Sequence, residues 1–134
     1  NSDMKEAYND LVIVLRKKGD NKAALKVCEH ALKKHKNDDT LHRNKGNILY
    51  AMDEPEKALE AFEAALDLNP HVVDTWVNKG TVLWKAMEQR EEALAAFDKA
   101  LEINPNFMAA VDSRISLEAE IKANRPGFFK RIFG

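Results

Sequence analysis

The sequence predicts an all-α protein: a right-handed α-solenoid of antiparallel helix pairs, with about seven helices. Three observations lead there. The chain repeats itself. Asn44-Lys45-Gly46 returns as Asn78-Lys79-Gly80 at an offset of 34, and ALEAFEAALDLNP (58–70) returns as ALAAFDKALEINP (93–105) at an offset of 35. Apolar residues inside each copy recur at helical spacing. Five Gly and four Pro leave too few turn residues for a sheet-rich fold.

The copies tile residues 5–38, 39–72 and 73–107, and a single helix is expected over 108–123. Copy one is the weakest, with Ala24-Leu25-Lys26-Val27-Cys28 and Ala31-Leu32 standing 34 residues before Ala58–Phe62 and Ala65-Leu66. Gly19-Asp20 supplies a left-handed turn and an N-cap between its two helices. In copy two, Ala58, Phe62, Ala65 and Leu66 fall at i, i+4, i+7 and i+8, one face of a helix. Pro55 suits the first turn of that helix, where its missing N–H costs nothing. Pro70 and Pro105, after Asn69 and Asn104, end the second helices of copies two and three. The change of offset from 34 to 35 places one inserted residue in the turn within 85–92. Helix 108–123 carries apolar Met108, Val111 and Ile115 beside Ala110, Leu117 and Ile121, with polar residues on its other side. That pattern suits the last helix of a stack.

These residues resemble the tetratricopeptide repeat (TPR), a helix-turn-helix of 34 residues with the pattern W-x2-L-G-x2-Y…A-x3-F…P. Copy three offers Trp76, Lys79, Gly80, Leu83, Ala93, Phe97 and Pro105. Copy two offers His42, Lys45, Gly46, Leu49, Ala58, Phe62 and Pro70. Copy one offers Tyr8, Leu11, Val12, Leu15, Ala24 and Cys28. The resemblance covers about residues 5–122, within a TPR domain expected over 1–123. Gly46 and Gly80 are expected to face Ala58 and Ala93 across each helix pair, where small side chains allow close approach. Phe62 and Phe97 are expected to fill the wider part of each seam. Ala31, Ala65 and Ala100 should face the first helix of the next repeat. Val12 replaces the glycine in copy one, so that pair should stand farther apart.

Composition excludes several functions. Lys and Arg number 21 against 22 Asp and Glu, a net charge of −1, without the positive field that general nucleic-acid binding needs. No P-loop, dinucleotide-binding, zinc-protease or CxxC motif occurs. The four histidines, His30, His35, His42 and His71, are scattered. Cys28 occupies the place of Phe62 and Phe97 and reads as a small core residue. No enzyme activity, cofactor or metal is expected. The lone cysteine and the absence of an export signal suggest a reducing, cytoplasmic setting, with peripheral membrane contact as an alternative.

The resemblance implies a protein–protein interaction scaffold that holds a peptide in a concave groove lined by the first helix of each repeat. On that face the one-turn spacing places Asn9 and Arg16, then Arg43, Asn47 and Tyr50, then Val77, Thr81 and Trp84, with Asn44 and Asn78 at the rim. Amide side chains can hold a peptide backbone, and large aromatic residues act as anchors. Some TPR domains clamp the carboxylate of heat-shock chaperone tails. Arg43, Asn47 and Asn78 are similar to three members of that clamp, but Ala109 and Ser113 stand where its last basic pair belongs.

Residues 124–134 lie outside the repeat logic. Pro126-Gly127 breaks the preceding helix. Phe128, Phe129, Ile132 and Phe133 then share one helical face, with Lys130 and Arg131 opposite. The segment suits an interfacial membrane anchor. It is similar to the short C-terminal membrane-targeting helix of the Min-system ATPase of bacterial cell division, and residues 127–131 match the GFFKR stretch beside the membrane in integrin α subunits. The alternatives are that the aromatic residues fold back onto the last helix, or meet a neighbouring molecule in self-association.

Overall fold

A computed structural model describes residues 2–134, with side chains from Met4 onward. The described residues form eight helices and no strand: α1 (Ser2–Lys17), α2 (Asn21–Lys34), α3 (Asp39–Ala51), α4 (Pro55–Leu68), α5 (Val73–Lys85), α6 (Arg90–Ile103), α7 (Met108–Ala123) and α8 (Phe128–Phe133). The eighth, beyond the seven expected, is the short helix of the tail. It starts after Gly127, whose φ of 83° turns the chain sharply.

Each turn between paired helices uses one left-handed residue: Gly19 (φ 81°), Asp53 (φ 61°) and Glu88 (φ 54°). Glycine is at ease there, whereas Asp and Glu carry a Cβ that this conformation crowds. The Asp20 amide bonds Leu15 O at 3.0 Å and the Glu54 amide bonds Leu49 O at 2.9 Å, both five residues back, whereas the Gln89 amide reaches six back to Leu83 O at 2.8 Å. The inserted residue is therefore absorbed in the Ala86–Gln89 turn. Asp20 caps α2 by accepting from the Ala23 amide at 3.1 Å, and Asp38 caps α3 by accepting from the Leu41 amide at 3.2 Å. Pro55 opens α4, and α4 and α6 close on Asn69 and Asn104.

Helices pack in chain order, and the odd-numbered ones also meet one another: α1 with α3, α3 with α5, α5 with α7. None of α2, α4 and α6 touches another of that set. Stacked pairs that are close on one side and splayed on the other form an arc, with α1, α3, α5 and α7 along its inner wall.

A phenylalanine ring lies nearest each of the two helical glycines. A Cβ built on Gly46 would stand 2.6 Å from Cε1 of Phe62, and one on Gly80 would stand 2.6 Å from Cε1 of Phe97. Helical side chains lean toward the N-terminus of their own helix, which carries each ring over the glycine. Copy one reverses the sizes. Val12 stands for the glycine and Cys28 for the phenylalanine, and both are fully buried. Ala31, Ala65 and Ala100 are buried.

Candidate functional site

The residues expected on the groove come from α1, α3 and α5. Asn9 and Arg16 lie on α1, Arg43, Asn47 and Tyr50 on α3, and Val77, Asn78, Thr81 and Trp84 on α5. Arg43 and Asn47, one turn apart, are half-buried. Among the described residues no ion pair engages Arg43. No buried side-chain nitrogen or oxygen there lacks a partner. The Arg43 guanidinium therefore opens to solvent rather than to a hidden void. Tyr50, one helical turn beyond Asn47, is 36 % exposed, and Ile13 on α1 is 38 % exposed. The wall thus offers a cation, an amide and apolar surface within reach of one another.

Two amide bridges tie the inner wall together. Asn44 Nδ2 donates to Asn9 Oδ1 at 2.9 Å, and Asn78 Nδ2 donates to Asn47 Oδ1 at 3.0 Å. Asn9 also donates to Lys5 O at 3.1 Å. Asn44 is 5 % exposed, so it is a buried strut and not a rim residue. A buried amide is tolerated because it is bonded, and its partner lies 35 residues away on another helix. Thr81 turns its hydroxyl back to Val77 O at 2.9 Å, and Val77 packs partly against the core.

Trp84 is also engaged inside the protein. Its indole N–H donates to Glu120 Oε2 at 2.6 Å, and the same oxygen accepts from Arg90 Nε at 3.1 Å. Its ring meets Phe97 edge-on at 6.3 Å, and Lys85 Nζ sits 3.7 Å from its centroid. The tryptophan expected to anchor a ligand instead fastens α7 to the third repeat. These bonds, first the indole N–H and then Arg90, hold the Glu120 carboxyl below its usual range.

Arg16 lines a cleft of about 340 Å³ with Ile13, Lys17, Gly19, Asn21 and Ala51, and partial burial lowers its pKa from the usual guanidinium value. A larger cleft of about 480 Å³ opens on the other side of the arc, between α2, α3 and α4, around Leu25, Glu29, His42, Lys45 and Ala61. It borders an ion pair that sequence reading missed. Lys45 pairs with Glu29 at 4.0 Å, Lys79 with Glu63 at 3.9 Å and Arg114 with Asp98 at 2.5 Å. Each pair joins an even helix to the next odd one across 16 residues, so the same joint occurs at all three repeat boundaries. The signal was present in the recurrence of Glu29, Glu63 and Asp98 at the repeat offsets. A second recurrent link joins ring to backbone. A His42 ring nitrogen lies 2.8 Å from Lys36 O, and Trp76 Nε1 donates to Pro70 O at 2.8 Å.

Cys28 is buried, its thiol donates to Leu41 O at 3.1 Å, and burial pushes its pKa up to about 12. A thiol held neutral and out of solvent is a poor nucleophile. Among the described residues no group of three or more His, Cys, Asp or Glu side chains could hold a metal ion. No described helix is long and apolar enough to cross a membrane. In the tail, Phe128 is half-buried, whereas Phe129, Ile132 and Phe133 are exposed.

Solved structures share this architecture. The first TPR of Spaghetti (RPAP3), bound to the HSP90 peptide SRMEEVD, superposes with a TM-score of 0.84 at 16 % identity, covering 90 % of this chain and 95 % of that one. The type III secretion chaperone SycD of Yersinia enterocolitica, in complex with a peptide of the translocator YopD, gives 0.82 at 15 % identity, covering 90 % and 97 %. YrrB, a TPR protein with an unusual peptide-binding site, gives 0.75 at 29 % identity, covering 81 % of this chain and 56 % of that one. No curated protein matches the chain. Profiles of the tetratricopeptide repeat match residues 6–37, 40–72 and 73–107. The arc of paired helices, the glycine notches and these three matches agree: the chain belongs to the tetratricopeptide repeat family.

Proposed function

We propose that this protein is a non-catalytic interaction scaffold whose inner wall holds an extended peptide bearing a carboxylate. The observation that carries the proposal is the pair Arg43 and Asn47. They stand one turn apart on α3, and Arg43 has no protein counter-ion among the described residues. The guanidinium is a rigid fork matched to a carboxylate. Asn47 spends its oxygen on Asn78, which leaves its N–H groups for a peptide carbonyl. Tyr50 and Ile13 supply apolar contact on either side. Two solved TPR neighbours are bound to peptides, the HSP90 peptide and the YopD peptide, which supports peptide capture as the role of the fold here.

A complete chaperone-tail clamp is not proposed, because Ala109 and Ser113 offer no cation where such a clamp has two. Trp84 and Asn44 are not assigned to the ligand either, since both are bonded within the protein. The expected cytoplasmic setting is kept as part of the proposal, consistent with a free, buried thiol.

The test is fluorescence anisotropy with labelled extended peptides that carry an acidic side chain or a free carboxylate, against amidated and lysine-bearing controls. Arg43→Ala should weaken capture of the acidic peptides about tenfold or more, as expected for a lost charge-assisted hydrogen bond. Tyr50→Ala should weaken all the peptides alike. Equal affinity of Arg43→Ala and the parent chain would remove the groove from the proposal.

A further inference from the structure

We infer that the C-terminal tail docks this protein onto an anionic lipid surface through α8 and the cations around it. Phe129, Ile132 and Phe133 are 66 %, 57 % and 77 % exposed, and the rings of Phe129 and Phe133 stack at 5.9 Å with their planes 20° apart. They form one apolar edge of a short helix in which Phe128 is half-buried. So much aromatic surface in water is unfavourable, and a headgroup–acyl boundary relieves it.

Charge selects the lipid. From residue 121 to 134 the chain carries Lys122, Arg125, Lys130 and Arg131 and no acidic residue, although the whole protein is at −1. Lys122, Arg125 and Arg131 converge with Phe128 and Ile132 around a cleft of about 290 Å³, so cations and apolar side chains share its lining. The nearby acids are already engaged. Glu118 pairs with Arg114 at 2.9 Å, and Glu120 serves Trp84 and Arg90. Among the described residues no ion pair neutralises the four tail cations. A cleft of this kind accepts a phosphate-bearing headgroup while the adjacent rings enter the acyl boundary. A peptide of the acidic class proposed for the groove would satisfy the cations but leave Phe129 and Phe133 in water.

Short apolar anchors bind reversibly, so both components are needed. Each tail cation should contribute roughly a fivefold gain in partitioning at low salt, the equivalent of about 1 kcal/mol. The experiment is co-sedimentation of the whole chain with phosphatidylserine–phosphatidylcholine vesicles and with pure phosphatidylcholine vesicles, across a salt series. The chain should pellet with the anionic vesicles, far less with the neutral ones, and progressively less as salt rises. Phe129→Ser with Phe133→Ser should abolish pelleting. Lys130→Glu with Arg131→Glu should do the same, and both variants should keep the parent circular dichroism because the altered residues are exposed. A Phe133→Trp variant should gain a blue-shifted emission on meeting anionic vesicles. Absence of pelleting with anionic vesicles, or unchanged pelleting by the double serine variant, would overturn the inference. Tail-dependent dimerisation with no vesicle binding would also overturn it, and would assign the aromatic edge to a second copy of the chain.

Discussion

Gly46 and Phe62 form a lock and its key: the ring edge occupies the space in which a Cβ at position 46 would stand, 2.6 Å from Cε1. Gly80 and Phe97 repeat the relationship one module later. Both rings are essentially excluded from water, so neither can swing aside without opening a void.

Gly46→Ala should therefore destabilise the protein. In an open helix the change would be favourable by about 1 kcal/mol. Overpacking against a buried ring costs about 1–3 kcal/mol and should win. Urea unfolding is expected to show a lower midpoint, with partial recovery when Phe62→Leu is added. A raised midpoint for Gly46→Ala alone would refute the contact.

Val12 and Cys28 should behave as a coupled pair, because they occupy the same two positions with the sizes exchanged. Cys28→Phe alone should overpack and cost about 1–3 kcal/mol. Val12→Gly alone should leave a cavity and weaken α1. Together they rebuild the arrangement of the other repeats, so the double variant should be more stable than the sum of the single losses by about 1 kcal/mol or more. Simple additivity in a double-mutant cycle would show that the two sites do not meet.

Glu120 links the last helix of the stack to acid stability. Its folded-state pKa lies below the ordinary carboxylate range, chiefly through the Trp84 N–H and next through Arg90. A depressed pKa contributes stability that is present above the unfolded value and is lost as the pH falls through the folded one. Thermal unfolding followed from about pH 5 downward should reveal this loss, accompanied by a change in tryptophan emission. Glu120→Gln should flatten that limb of the curve. An unchanged acid limb would detach Glu120 from the anchoring of α7.

Glu88 is the longest side chain among the three left-handed turn residues, at a φ of 54°. Glu88→Gly should relieve that strain and raise stability by about 1 kcal/mol, a gain reduced in part by the greater freedom of glycine in the unfolded chain. Gly19→Ala, at a φ of 81°, should move stability the opposite way. Paired denaturation curves decide the matter, and a destabilised Glu88→Gly would contradict it.

Much of this architecture was legible before the structure. The repeat offsets located the helix pairs, Gly19-Asp20 announced a turn and cap, and the step from 34 to 35 located the longer turn at Ala86–Gln89. These signals are local, or exact copies of one another. What escaped depends on contacts between distant residues. The burial of Asn44 needs Asn9, and the capture of Trp84 needs Glu120, 36 residues on. The ring that fills each glycine notch escaped as well, because spacing identifies which side of a helix a residue occupies but not how far a ring leans back along it. The half-buried place of Arg43 on α3, one turn before Asn47, follows from repeat register alone.

Mechanically, the closing helix of the array, α7, is riveted in place at two points. Arg114 holds it to Asp98, and Glu120 holds it to Trp84 and Arg90. In a stack where each module leans on its neighbour, fraying begins where the fewest fastenings must break. Fraying from the α7 end must therefore break both rivets before the third repeat is laid bare.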